Sequence, residues 1–228
     1  MFCANRQYEM LVRPKNRTAA DEYYHQGNVW IEGREGNDYC IELRNHTATP
    51  AMFIVSVDGL DVLQGQTAGA NSPGFIVPAF GLAVVQGWNI DNQQAAAFLF
   101  SRKSTSYVNQ IGGSTTNTGV IGAMVFAEKP PVYTAQAAQS LRSLAVGSMM
   151  SNSLGTGFGE TLNQKLGQEH FHKATPGQPQ AILAVYYNTA KNLEKMGIKL
   201  RRRRDVSYQA DPFPAYNSGC AIPPGWKG

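Results

Sequence analysis

The chain is short of charge, of cysteine and of long apolar runs. Charged residues make up 16% of its 228 residues, against about a quarter in an ordinary soluble domain. Gly, Ser, Thr, Asn and Gln fill the gap, and such a surface suits β-rich extracellular or particle-bound proteins better than a helical cytosolic enzyme. The three cysteines, Cys3, Cys40 and Cys220, are odd in number and far apart. No C-x-x-C occurs, which argues against a structural zinc site and against a disulfide framework. The opening MFCANRQYEMLVRPKNR has no apolar stretch of the secretory kind, so synthesis in a cytoplasm is expected. The longest apolar run, GFIVPAFGLAVVQGW, is broken by Pro78, Gly81 and Gly87 and is too short to span a bilayer.

The charge that exists is unevenly placed. Residues 199–228 hold six basic side chains against two acidic ones, which accounts for the whole net charge of +4. Residues 1–198 carry fourteen of each sign. The basic balance therefore describes a tail and does not point to a nucleic-acid-binding core.

With 43% hydrophobic residues, the chain can fill a core. Its pattern is that of strands. In YCIELRN, Tyr39, Ile41 and Leu43 fall on one face and Cys40, Glu42 and Arg44 on the other. This period of two marks half-buried strands. NVWIEG, AMFIVSVDG, LDVLQG, GFIVPAFGLAVVQGW, AAAFLFS and TGVIGAMVFAE add further apolar runs, most of them bounded by Gly, Pro, Asn or Asp. Many short strands at this spacing predict a mainly β chain. The expected form is an antiparallel β-sandwich, jelly-roll-like, over residues 27–132. An N-terminal arm (1–26) precedes it. A flexible or partly helical linker (133–161), a strand–helix extension (162–198) and a basic, Pro-rich tail (199–228) follow. The linker's first half, Thr134 to Val146, has helical spacing. TAKNLEKMGI predicts a short helix stopped by Gly197.

Four groups of residues invite a chemical reading. Asp58 and Asp61 flank Gly59 in VSVDGLDV. Asp-Gly is a strong turn signal, so Asp58 and Gly59 are read as a structural turn, in which asparagine should replace Asp58 with little effect. An acid–base pair would need two carboxyl groups facing one bond, and the calcium-loop pattern D-x-D-x-D-G is absent. His170 and His172 in HFH could share a strand face, but two imidazoles without a third ligand do not make a metal site. GTGFGE lacks the G-K-[ST] of a phosphate loop. No G-x-S-x-G or H-E-x-x-H occurs, so no catalytic residue, cofactor or metal is assigned. The fourth group, Lys199, Arg201, Arg202, Arg203 and Arg204, is the strongest charge feature. It is read as a partner-binding segment, because guanidinium groups suit anionic surfaces.

Taken in order, VWIEGREGNDYCIELRN, VSVDGLDVLQG, GFIVPAFGLAVVQGW, AAAFLFS and TGVIGAMVF resemble a family of uncharacterised proteins from tailed phages and proteobacterial genomes. LGTGFGE and VYYNTAKNLEKMGI extend the similarity, so that it covers about 29–198. The resemblance implies a virion or prophage-linked structural protein and supplies no catalytic residues. The expected function is a non-enzymatic phage virion protein, such as a capsid-decoration, minor capsid or head–tail accessory protein. It would dock through its sandwich and arms on capsid, portal or tail proteins in symmetric multiple copies. Binding of nucleic acid is not expected. The alternative is a carbohydrate- or host-surface-binding module of the same fold, with Trp88, Tyr107 or Tyr133 as sugar-stacking aromatics.

Overall fold

The computed structural model describes residues 6–15, 17–91, 93–129, 153–163, 166 and 170–201. The predicted helix at 134–146, Tyr133 and the tail beyond Arg201 lie outside them. The described chain is mainly β, in two sheets.

The first sheet has β1 (Tyr8–Pro14), β4 (Asp38–Asn45), β10 (Gln94–Arg102) and β12 (Leu154–Asn163) in that order, with β8 (Leu82–Val85) on β4 and β9 (Gly87–Asp91) on β10. All its pairings are antiparallel. β4 meets β10 only at Tyr39 and Asp38. Beyond that point β8 lies along β4 from Ile41 to Arg44, while β9 lies along β10.

The second sheet has the order β2 (Glu22–His25), β3 (Asn28–Glu32), β13 (Ala181–Asn188), β11 (Val120–Ala127), β5 (Ala51–Val57) and β6 (Leu60–Asp61), with β7 (Phe75–Val77) also on β5. β3 and β13 run parallel, so this sheet is mixed and not purely antiparallel as the sequence suggests. The register between strands so far apart in sequence is a tertiary choice.

Period two holds where it is read. Tyr39, Ile41 and Leu43 are buried in the main core with Met10, Val85 and Phe98 of the same sheet. From the other sheet, Phe53, Val55, Ile121, Val125, Leu183 and Val185 join the same cluster. One core thus draws on both sheets. A second cluster lies on the far side of β3 and β13. There Leu193 of α2 (Ala190–Lys195) and Ile198 pack with Tyr23 and Trp30. α2 begins at Thr189, whose side chain accepts from the Asn192 amide, and ends at Gly197 with φ +88°. Both ends follow ordinary capping chemistry.

Three segments that the sequence places outside the β unit are woven into it. Part of the expected N-terminal arm is β1, hydrogen-bonded along the whole of β4. The end of the expected linker is β12, paired with β10. β13, expected in an extension, lies between β3 and β11 inside the second sheet. The apolar run GFIVPAFGLAVVQGW is not one strand. It divides into β7, β8 and β9, which belong to different sheets. HFH is irregular chain with both imidazoles exposed, and no group of three metal-ligating residues occurs among the described residues.

Candidate functional site

Asp58 and Gly59 form the tight connection between β5 and β6, with φ +53° and +84°. Such left-handed values suit Asp and Gly at a hairpin corner. The carboxylate, however, does not face water. Asp58 is 1% exposed, and its side chain accepts three hydrogen bonds. Oδ1 accepts from the Gly119 amide at 2.8 Å and from the Tyr187 hydroxyl at 2.6 Å. Oδ2 accepts from the Thr156 amide at 2.6 Å.

The network continues beyond Tyr187. Thr156 Oγ1 lies 2.8 Å from the Tyr187 hydroxyl and 2.7 Å from the Tyr39 hydroxyl. Since Tyr187 donates to Asp58, the chain of donors runs from Tyr39 through Thr156 and Tyr187 to the carboxylate. Phe100 stacks on Tyr39 at 4.3 Å between ring centres and lies 5.2 Å from Tyr187. β4 and β12 bring Tyr39 and Thr156 from one sheet. β13 and the β5–β6 turn bring Tyr187 and Asp58 from the other. The cluster therefore ties the two sheets together inside the core.

Burial pushes the Asp58 carboxyl up to about 6, against the opposing pull of hydrogen bonds from Tyr187, Thr156 and Gly119. Tyr39 and Tyr187 are pushed well above the ordinary phenol value, chiefly by burial and then by the Asp58 charge. No positive charge accompanies the carboxylate in these hydrogen bonds. It is held by neutral donors in a medium of low polarity, where each bond is stronger than in water. Asp61 is also buried, but it serves its own loop. Its Oδ1 accepts from the Leu63 amide at 2.8 Å, and burial pushes its carboxyl up.

The glycines of GTGFGE explain how β12 reaches this site. A Cβ on Gly155 would stand 2.7 Å from Ser106 Cβ and 3.2 Å from Asp58 Oδ2. One on Gly159 would stand 2.7 Å from the Ala97 carbonyl oxygen. These glycines permit close packing of backbone and do not form a flexible loop. A partner role for Asp58 across the sheets leaves no local trace in the sequence. The spacing of a glycine at every second position of β12 is the one signal that could have announced the close approach.

A second polar group lies on the outward face of the first sheet. Glu42 is 2% exposed although it alternates away from the core, because arginines cover it. Arg13 Nη1 and Arg44 Nε each lie 2.5 Å from one of its oxygens. Glu9, also buried, is 3.7 Å from Arg44 and 3.3 Å from His46. Burial alone would raise the Glu42 carboxyl, but hydrogen bonds and charge from Arg44 and Arg13 outweigh it and hold it below the ordinary range.

The remaining sequence-level candidates fall as follows. Trp88 is buried, and its indole donates to the Gly157 carbonyl at 3.2 Å. Tyr107 packs on Trp88 at 4.7 Å and is partly buried. Lys199 and Arg201 are exposed, and the Arg201 amide donates to the Tyr23 hydroxyl at 3.1 Å. Arg202, Arg203 and Arg204 lie outside the described residues. Cys40 is a free thiol, and among the described residues no helix is long and apolar enough to cross a membrane. Comparison of the chain with protein-family models, with curated proteins and with solved structures returns no match.

Proposed function

We propose that the two sheets face each other as a sandwich of the jelly-roll kind. We further propose that the chain is a non-enzymatic structural protein of a phage virion, docking on capsid, portal or tail proteins in symmetric multiple copies. One observation carries the non-enzymatic reading. Among the described residues, the convergence of carboxyl and hydroxyl groups that joins the sheets, Asp58 with Tyr187, Thr156 and Tyr39, is sealed in the core. A catalytic carboxyl must reach a substrate; this one is spent on holding two layers in register. The shared core supports the sandwich. The ordered motif series from Val29 to Phe126, with its likeness to tailed-phage proteins, supports the virion setting. The glycan-binding alternative loses its tryptophan, since Trp88 is a core residue.

Quantitative mass spectrometry on purified, salt-washed particles tests the proposal. Recovery in a ratio matching capsid or tail symmetry is the expected result. Absence from the particles would overturn the virion reading.

A further inference from the structure

Asp58 lies where the ends of the two sheets meet. β6 is the last strand of the second sheet, is two residues long and has β5 as its strand partner. β12 is the last strand of the first sheet. Its strand partner among the described residues is β10, in a ladder whose register shifts between Ala96 and Phe98. Terminal strands leave amides on one side without a ladder partner. The turn into β6 sets Asp58 Oδ2 on the Thr156 amide, so that β12 is held there by a side chain of the other sheet. The same carboxyl holds the Gly119 amide at the entry to β11 and the Tyr187 hydroxyl of β13. One carboxyl thus stitches the last strand of the first sheet to three parts of the second.

The groups around this carboxyl are neutral among the described residues. β13 and β4 bring the phenols Tyr187 and Tyr39, both pushed well above the ordinary value by burial and by the Asp58 charge. β12 brings Thr156 and Gly155, with Ser106 beside Gly155. The entry to β11 brings a main-chain amide, and Asn117 lies against Gly59 of the turn. Asp61, on β6, is engaged with its own loop through the Leu63 amide. Ionised Asp58 is therefore a charge removed from water with no counter-charge among its hydrogen-bond partners, and that state is costly in a core.

We infer that this joint is a pH-sensitive seam between the sheet ends. It is closed with Asp58 protonated. With Asp58 ionised it opens locally, freeing Thr156 and the β5–β6 turn while the central strands stay paired. Opening lets water reach the charge, and water solvates a carboxylate better than a few neutral donors in a core do. Elements at the ends of sheets are where opening costs least. The phenols keep their protons throughout, so one group sets the response. The sign follows from the folded value of about 6 against the ordinary 3.8. The seam is tightest below about 4, loosens as pH rises toward about 6 and levels off above it.

Hydrogen exchange of the full chain, read by NMR, tests the seam. The amides of Thr156 and Gly119 report the joint. Those of Ile121 to Val125, in a strand paired on both sides, report the centre of the second sheet. After correction for the intrinsic pH dependence of exchange, protection of Thr156 and Gly119 should fall roughly fiftyfold between about pH 4 and pH 7. Low urea should leave their exchange unchanged, while the central amides stay more protected and respond to urea in full. Asp58→Asn should abolish the fall with pH. Tyr187→Phe removes a donor that favours the carboxylate, so it should extend the fall to higher pH. Joint amides with the protection and urea response of the centre would show that the joint opens only with the whole molecule, and would overturn the seam. So would a wild type without the fall, a fall that persists in Asp58→Asn, or one that Tyr187→Phe leaves at the same pH.

Discussion

At Asp58 a turn residue doubles as an internal acceptor, and the two roles make different demands. The turn needs a residue that tolerates φ +53°, which asparagine does. The acceptor role needs two oxygens, because donors approach both. An asparagine amide would turn an N–H toward the amide of Gly119 or Thr156. One buried donor left unsatisfied costs about 1–3 kcal/mol. The buried acceptor role weighs against the expectation that asparagine would serve equally well. A protonated carboxyl escapes this conflict: its hydroxyl donates to Tyr187 and still accepts. The sign of the pH dependence follows. The folded-state value of about 6 lies above the ordinary 3.8, so the native state binds this proton more tightly than the unfolded chain. The associated stability is fully present below about 4 and is lost as pH rises through about 6. The displacement corresponds to roughly 3 kcal/mol. In denaturant titrations, Asp58→Asn should be less stable than wild type at pH 5 by about 1–3 kcal/mol, and the gap should shrink toward pH 8. A gap that is constant with pH would show that Asp58 does not titrate in this range.

Among the elements, β4 shows most clearly what alternation conveys. Its inward residues Tyr39, Ile41 and Leu43 and outward residues Cys40, Glu42 and Arg44 are legible from the sequence, because side-chain direction in a strand is a local property. That Glu42 is buried under two arginines is not legible, since Arg13 belongs to a strand 29 residues away. Glu42 titrates opposite to Asp58. Its folded value is depressed, so its stabilisation is present above the ordinary glutamate range and disappears as pH falls through the folded value. Glu42→Gln should lower stability at pH 7 and flatten the loss below pH 4, as read by acid denaturation followed by circular dichroism. An acid limb unchanged from wild type would sink this assignment. The bend from β8 to β9 rests on Gly87, where a Cβ would stand 1.9 Å from the Ala96 carbonyl oxygen. Backbone cannot yield as a side-chain tip can. Gly87→Ala should cost about 1–3 kcal/mol or more in urea denaturation. Full stability would mean that β9 can move off β10.

For the molecule as a whole, the net charge lies in residues 199–228, so under the virion function proposed above attachment through them would be separable from folding. Arg201 engages Tyr23 through its main chain, not its guanidinium group. Replacing Arg201, Arg202, Arg203 and Arg204 with alanine should leave the melting temperature of the chain unchanged and lower its occupancy on particles as salt rises, measured by mass spectrometry after graded washes. Undiminished occupancy would remove the run from the docking machinery. The sequence by itself determined the strand class, the inward and outward faces, the Asp-Gly turn, the capped helix α2 and the neutrality of residues 1–198. Each of these is written within a few neighbouring residues. The tertiary structure alone decided that β3 and β13 run parallel, that β1, β12 and β13 belong to the sheets, and that Asp58 is buried. Its partners Thr156 and Tyr187 are 98 and 129 residues away along the chain. Periodicity reports which way a side chain points relative to its own backbone, and it carries no information about which distant strand will arrive to meet it.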